Sequence, residues 1–169
     1  MELKELAQIV DDMAVQHDYP GYEIRSLKMG LPMDAIGSGG KLFNAALKHE
    51  NPLVKLAGLR FFQEKHGVGK QFARPIAELL SDSDEWVRAE AILCLERIGK
   101  VDDKTVLKIA ELLSDEHVMV RKGAAKALGK LGCRNEEVIN GLQKATEDTD
   151  HEVRWKAQKA LRQLGAYVA

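Results

Sequence analysis

The sequence predicts an all-α protein: an α-solenoid of about four helical hairpins behind an N-terminal helical cap. Three observations carry that expectation. The chain matches itself at a shift of 33 residues. Each period holds two apolar stripes at helical spacing, parted by a short polar turn. The composition, 45% hydrophobic but only 5% aromatic, must fill its core with Ala and Leu, which suits closely packed helices.

The elements follow in order. Residues 1–34 do not fit the period and read as the cap. Leu3, Leu6, Ile9, Val10, Met13 and Ala14 mark an amphipathic helix from about 2 to 17, and Tyr19-Pro20-Gly21 breaks it. An end repeat must show one polar face to water, which is the role of a cap. Gly37-Ser38-Gly39-Gly40 then starts a helix rather than linking two domains. Four periods tile the remainder as 35–67, 68–100, 101–133 and 134–166 within one continuous domain, with turns near 50, 83, 116 and 149.

The register of those periods is fixed by recurring residues. Val87-Arg88, Val120-Arg121 and Val153-Arg154 stand 33 apart, as do Leu95, Leu128 and Leu161, and Gly99, Gly132 and Gly165. The first copy is weaker: Val54-Lys55 replaces Val-Arg, and His49 stands where Asp82 does. In the third copy Val106, Ile109, Ala110, Leu112 and Leu113 form the first helical stripe. Val120, Ala124, Ala127, Leu128 and Leu131 form the second. Asp and Ser between them favour turns and helix N-caps, and Gly132 suits the positive φ that ends a helix. Pro75 falls in a first helical turn, where its missing N–H costs least.

Composition excludes several function classes. The 25 Lys and Arg against 26 Asp and Glu leave a formal charge of −1, which excludes a globally basic nucleic-acid coat. No apolar run approaches the roughly 18 residues needed to cross a bilayer, and the acids within the first stretch do not suit a signal peptide. Cys94 and Cys133 form no CxxC or paired framework, so a reducing cytoplasmic setting is expected.

The pattern L-L-S-D-x-x-x-x-V-R-x-x-A-x-x-x-L-x-x-x-G resembles the HEAT repeat, above all the short prokaryotic variety found in phycobilisome lyase subunits. Leu79-Leu80-Ser81-Asp82 with Val87-Arg88, and Leu112-Leu113-Ser114-Asp115 with Val120-Arg121, carry it most fully. The fourth copy keeps Asp148 and Val153-Arg154 but has Ala145-Thr146 for the double Leu. The resemblance implies a right-handed solenoid whose second helices line the concave side. It also implies that Asp82, Arg88, Asp115, Arg121, Asp148 and Arg154 form a hydrogen-bonded ladder between repeats.

No catalytic constellation emerges. Gly37-Ser38-Gly39-Gly40-Lys41 departs from a phosphate loop, with Ala at 35 and Leu after the lysine. His17, His49, His66, His117 and His151 have no metal-ligand spacing, and His117 reads as a solvated turn residue. The turn acids lack calcium-loop spacing and read as helix caps. Cys94 falls on the buried face of its helix, and Cys133 is expected to be more exposed. Neither a cofactor nor a metal is expected.

Function can hide where the repeats differ. A helical wheel puts Val87, Ala91, Cys94, Leu95 and Ile98 on the core face of one second helix, and Ala89, Leu93 and Glu96 opposite. The matching triplets are Leu56, Arg60 and Gln63; Lys122, Lys126 and Gly129; and Trp155, Lys159 and Arg162. The C-terminal half of the groove is therefore expected to be basic around one exposed tryptophan, with Lys130 and Lys156 beside it. Lys122, Lys126, Trp155, Lys159 and Arg162 are the candidate partner-binding residues. They suit an acidic or acidic-apolar protein segment, since tryptophan and arginine are favoured interface anchors. The expected function is a non-catalytic protein-binding scaffold. An enzyme subunit of the bilin lyase type, implied by the resemblance, is one alternative. Nucleic-acid binding through the Lys and Arg column is the other, weakened by the balanced charge and scarce stacking rings.

Overall fold

The computed structural model describes residues 4, 5, 8, 40–64 and 69–166, and every element among them is helical. Lys4, Glu5 and Gln8 are helical, and the rest of the expected cap lies outside the described residues, as do Gly37 to Gly39. The chain divides into two compact units, 1–67 and 68–169.

The first unit holds α1 (Lys41–Leu47) and α2 (Pro52–Glu64). Gly40 stands ahead of α1 at φ 80°, a left-handed conformation that favours glycine. Phe43, Ala46 and Leu47 of α1 are buried with Val54, Leu56, Ala57 and Leu59 of α2. Those four α2 residues spread around most of the helix, so Leu56, expected on the open face, is buried instead. The degenerate turn keeps its geometry by a substitution of partners. His49 Nδ1 accepts the Asn51 amide at 3.1 Å, as Asp82 Oδ1 accepts the Asp84 amide at 3.0 Å.

The second unit stacks three hairpins: α3 (Ala73–Glu78) with α4 (Glu85–Ile98), α5 (Asp103–Glu111) with α6 (Val118–Leu131), and α7 (Glu136–Ala145) with α8 (His151–Gln163). Single 3₁₀ turns, Leu79–Ser81 and Leu112–Ser114, tighten the ends of α3 and α5. Each turn lets the next amide reach back, as Asp82 N–H does to Leu79 C=O, and it buries Leu80 and Leu113. The repeated Val87, Val120 and Val153 are fully buried, as are Ile76, Ile109 and Leu142 of the first helices. Fully burying a side chain of this size contributes about 1.5–3 kcal/mol. Cys94, Ala127 and Ala160 lie beneath them without access to solvent, whereas Cys133 is half-buried. Ile98 and Leu131, expected in the core stripe, are half-exposed because each is the last residue before its helix ends.

The second helices also pack on one another, α6 lying between α4 and α8. Glu96 and Gly129, expected on the outward face, are therefore buried against the neighbouring repeat. A helix in the middle of the stack has three neighbours, so only a narrow strip of it reaches water.

Among the N-caps of α4, α6 and α8 one is defective. Asp84 and Asp150 each accept two amides of the following helix, but His117 at the same position makes no side-chain cap bond. Replacing His117 by Asn supplies the missing acceptor without adding charge beside Glu85 and Glu116, and should stabilise by about 1 kcal/mol. Urea denaturation of the two proteins checks this; an unchanged midpoint would show that the cap is satisfied by solvent.

Candidate functional site

The repeated aspartates and arginines tie together the repeats whose helices carry the site. Arg88 Nε and Nη2 donate to Asp115 Oδ2 and Oδ1 at 2.8 and 2.9 Å. Its Nη1 donates to the carbonyls of Asp82 and Ser83 in its own turn at 2.8 and 3.1 Å. Arg121 repeats this one period on, holding Asp148 at 2.7 and 3.1 Å and the carbonyls of Asp115 and Glu116 at 2.9 and 3.1 Å. Each aspartate also accepts the amide two residues on, so it shapes its own turn while taking an arginine from the repeat before. Burial pushes the Asp115 carboxyl up, but the Arg88 hydrogen bond, the His117 amide and their charges together bring it below the ordinary range. For Asp148 the Arg121 hydrogen bond is the largest cause of a like depression.

Against this frame α6 and α8 present a hollow of about 260 Å³, lined by Lys126, Lys130, Trp155, Lys156, Lys159 and Gln163. Trp155 is 54% exposed, far more than any other large apolar side chain among the described residues. The Lys159 ammonium lies 5.0 Å from the ring centroid and that of Lys156 lies 5.7 Å from it, both within cation–π reach. Lys159 gets there because it is one helical turn beyond Trp155. Among the described residues neither of these lysines has a carboxylate partner.

The other two lysines are held from below. Glu96 reaches across from α4, its side chain only 5% exposed, and Oε1 takes Lys126 Nζ at 3.1 Å and Lys130 Nζ at 2.5 Å. The uncompensated charge of the hollow therefore belongs to Lys156 and Lys159. Lys122 lies outside it: its ammonium reaches Asp150 at 3.4 Å and Glu152 at 3.1 Å. Burial alone would lower the Lys122 pKa, but these two carboxylates outweigh it and raise it. Arg162 is exposed on α8 but does not line the hollow. Of the five residues expected to form one surface, Lys126, Trp155 and Lys159 thus meet in the hollow, joined by Lys130, Lys156 and Gln163. Glu96, the organiser of the lysine pair, is buried rather than on the open face that the helical wheel gives it. The sign that points to it is Lys at both i+30 and i+34, each in reach once α4 and α6 pack side by side.

A larger depression of about 710 Å³ opens between α5 and α7, with Arg121 and Asp148 among its lining. Its walls mix both signs: Arg121 and Asp148 hold each other, and Lys144 lines it together with Glu137 and Glu147. Among the described residues no group of three His, Cys, Asp or Glu side chains is placed to hold a metal, and no helix is long and apolar enough to cross a membrane.

Comparison with known proteins bears on the repeats rather than on the hollow. Residues 73–162 match the family model for HEAT repeats. An engineered protein solved as a Northeast Structural Genomics Consortium target is similar in fold, with a TM-score of 0.56 and 21% identity over 72% of this chain. A designed armadillo repeat protein has a TM-score of 0.53 and 19% identity over 73% of this chain. The matched region spans 60% of the first structure and 63% of the second. No curated protein matches the sequence. With the family model covering more than half of its residues, and the three stacked hairpins carrying its pattern, the chain belongs to the HEAT-repeat family.

Proposed function

We propose that the chain is a non-catalytic protein-binding module, and that the hollow between α6 and α8 holds an acidic partner segment bearing one apolar residue. The observation that carries this reading is Trp155, a large exposed ring within reach of two ammonium groups that have no carboxylate partner among the described residues. Hydrophobic exposure of that size is costly on a free surface and useful on a binding one. The paired cations add selectivity for acid and speed encounter.

Peptides selected from an acidic display library supply the ligand, and calorimetry at two salt concentrations supplies the test. Trp155→Ala should cost about 2 kcal/mol of binding if the ring is the anchor. Lys156→Glu and Lys159→Glu should slow association, with an effect that grows as salt falls. Lys126→Glu is unsuited to this test, because it sets a second carboxylate against buried Glu96 and would unsettle the fold. Unchanged affinity in the Trp155 and Lys159 variants would move function away from the hollow. Strongly salt-sensitive binding to unrelated DNA sequences would instead support nucleic-acid binding.

A further inference from the structure

Three positions on α4 and on α6, spaced i, i+4 and i+8, face the next repeat. In α4 they are Arg88, Ile92 and Glu96, all buried, with Ile92 beside Gly123 of α6 and Glu96 bonded to its lysines. In α6 they are Arg121, Ala125 and Gly129, the last lying against Ala160 of α8. In α8 the same column reads Arg154, Gln158 and Arg162, half-exposed to exposed.

Arg154 keeps one half of the ladder's geometry. Its Nη1 donates to the carbonyls of Asp148 and Thr149 at 2.7 and 3.0 Å, just as Arg88 and Arg121 clasp their own turns. The other half is open. Among the described residues nothing bonds its Nε–Nη2 edge, on which both earlier arginines hold an aspartate from 27 residues further on.

We propose that this edge of Arg154 is a carboxylate-binding site, which takes an aspartate from the helix-initiating turn of an acidic partner protein. Two backbone carbonyls fix the guanidinium plane, so the fork is presented before the ligand arrives and little rotamer entropy remains to be lost. Both filled rungs show what fits: a carboxylate in a turn ahead of a helix, steadied by the amide two residues on. The rest of the column selects the partner. Gln158 replaces Ile92 and Ala125, so an apolar seat gives way to a polar amide. That surface suits a polar, acidic helix end rather than another apolar hairpin. The inference stands apart from the hollow and does not depend on Trp155.

The test follows the Arg154 Nε–Hε resonance of the ¹⁵N-labelled full chain by NMR. The probe is a capped synthetic peptide of residues 81–98, SDSDEWVRAEAILCLERI, with Cys94→Ala, whose Asp82 turn has the required form and whose charge is acidic. The resonance should move saturably, the Asp82→Asn peptide should bind about tenfold more weakly, and Trp155→Ala protein should behave as wild type. Arg154→Lys protein should lose the same discrimination between the two peptides. An unmoved Arg154 resonance, equal affinity for the two peptides, or a shift that vanishes in Trp155→Ala would each overturn the proposal.

Discussion

Replacing Arg88 by Ala should lower the unfolding free energy by about 3 kcal/mol, the lower end of what breaking a buried ion pair costs. The side chains of Arg88 and Asp115 are 8% and 7% exposed, so the stranded carboxylate cannot recover its hydration. The variant also frees the carbonyls of Asp82 and Ser83. Lys122→Ala is the control. Its ion pairs also join α6 to α8, but its side chain is 25% exposed, and pairs so placed contribute about 1 kcal/mol or less. Urea denaturation of both variants at pH 7 makes the comparison, and equal midpoints would remove the ladder's role in stability.

The same pair predicts a pH dependence whose sign is fixed. Asp115 has a lower pKa folded than unfolded, so the unfolded chain takes up its proton first as pH falls. Its contribution is present in full above about pH 4, the ordinary carboxylate value, and is lost as pH falls through the depressed one. In Arg88→Ala that depression is gone. The gap between wild type and variant should therefore be widest near neutrality and narrow below about pH 4. A gap that is the same at pH 7 and pH 3 would assign the stabilisation to packing of the arginine stem instead.

What the sequence makes legible is whatever repeats. Val87, Val120 and Val153 announce the core because the same helical face meets the same first helix three times. Asp115 and Asp148 announce turns for the same reason. What it conceals is contact between repeats. A helical wheel assigns one buried face to each helix, yet α4, α6 and α8 also pack on one another, so Glu96 of α4 and Gly129 of α6 vanish from the surface that the wheel gives them. Lys122 and Lys126 look alike on the wheel, and only the stack reveals that one pairs forward to α8 and the other back to α4. One signal lies in the column Ile92, Ala125, Gln158, apolar in the second and third copies and polar in the fourth. In α4 and α6 that position packs against the neighbouring second helix rather than the core stripe.

Gly129 turns that account into the second large effect. It sits inside α6, where helix propensity alone favours alanine by roughly 1 kcal/mol. Packing opposes this. A Cβ at 129 would lie 2.9 Å from both the Cα and the Cβ of Ala160 and would also meet the Gln163 side-chain amide. Gln163 can swing aside, but the Cα of Ala160 belongs to the backbone of α8, so the two helices must part. Gly129→Ala should therefore destabilise by about 2 kcal/mol in spite of its better propensity, and Gly129→Leu by about 3 kcal/mol or more, at the top of the overpacking range. Ala160→Gly in the Gly129→Ala background removes the opposing methyl and should recover part of the loss, which a double-mutant cycle reads directly. Because α6 and α8 form the walls of the hollow, the same variants should weaken peptide binding along with stability. A stabilised Gly129→Ala protein would mean that α6 and α8 do not approach this closely, and the lysine–tryptophan surface built on that approach would have to be redrawn.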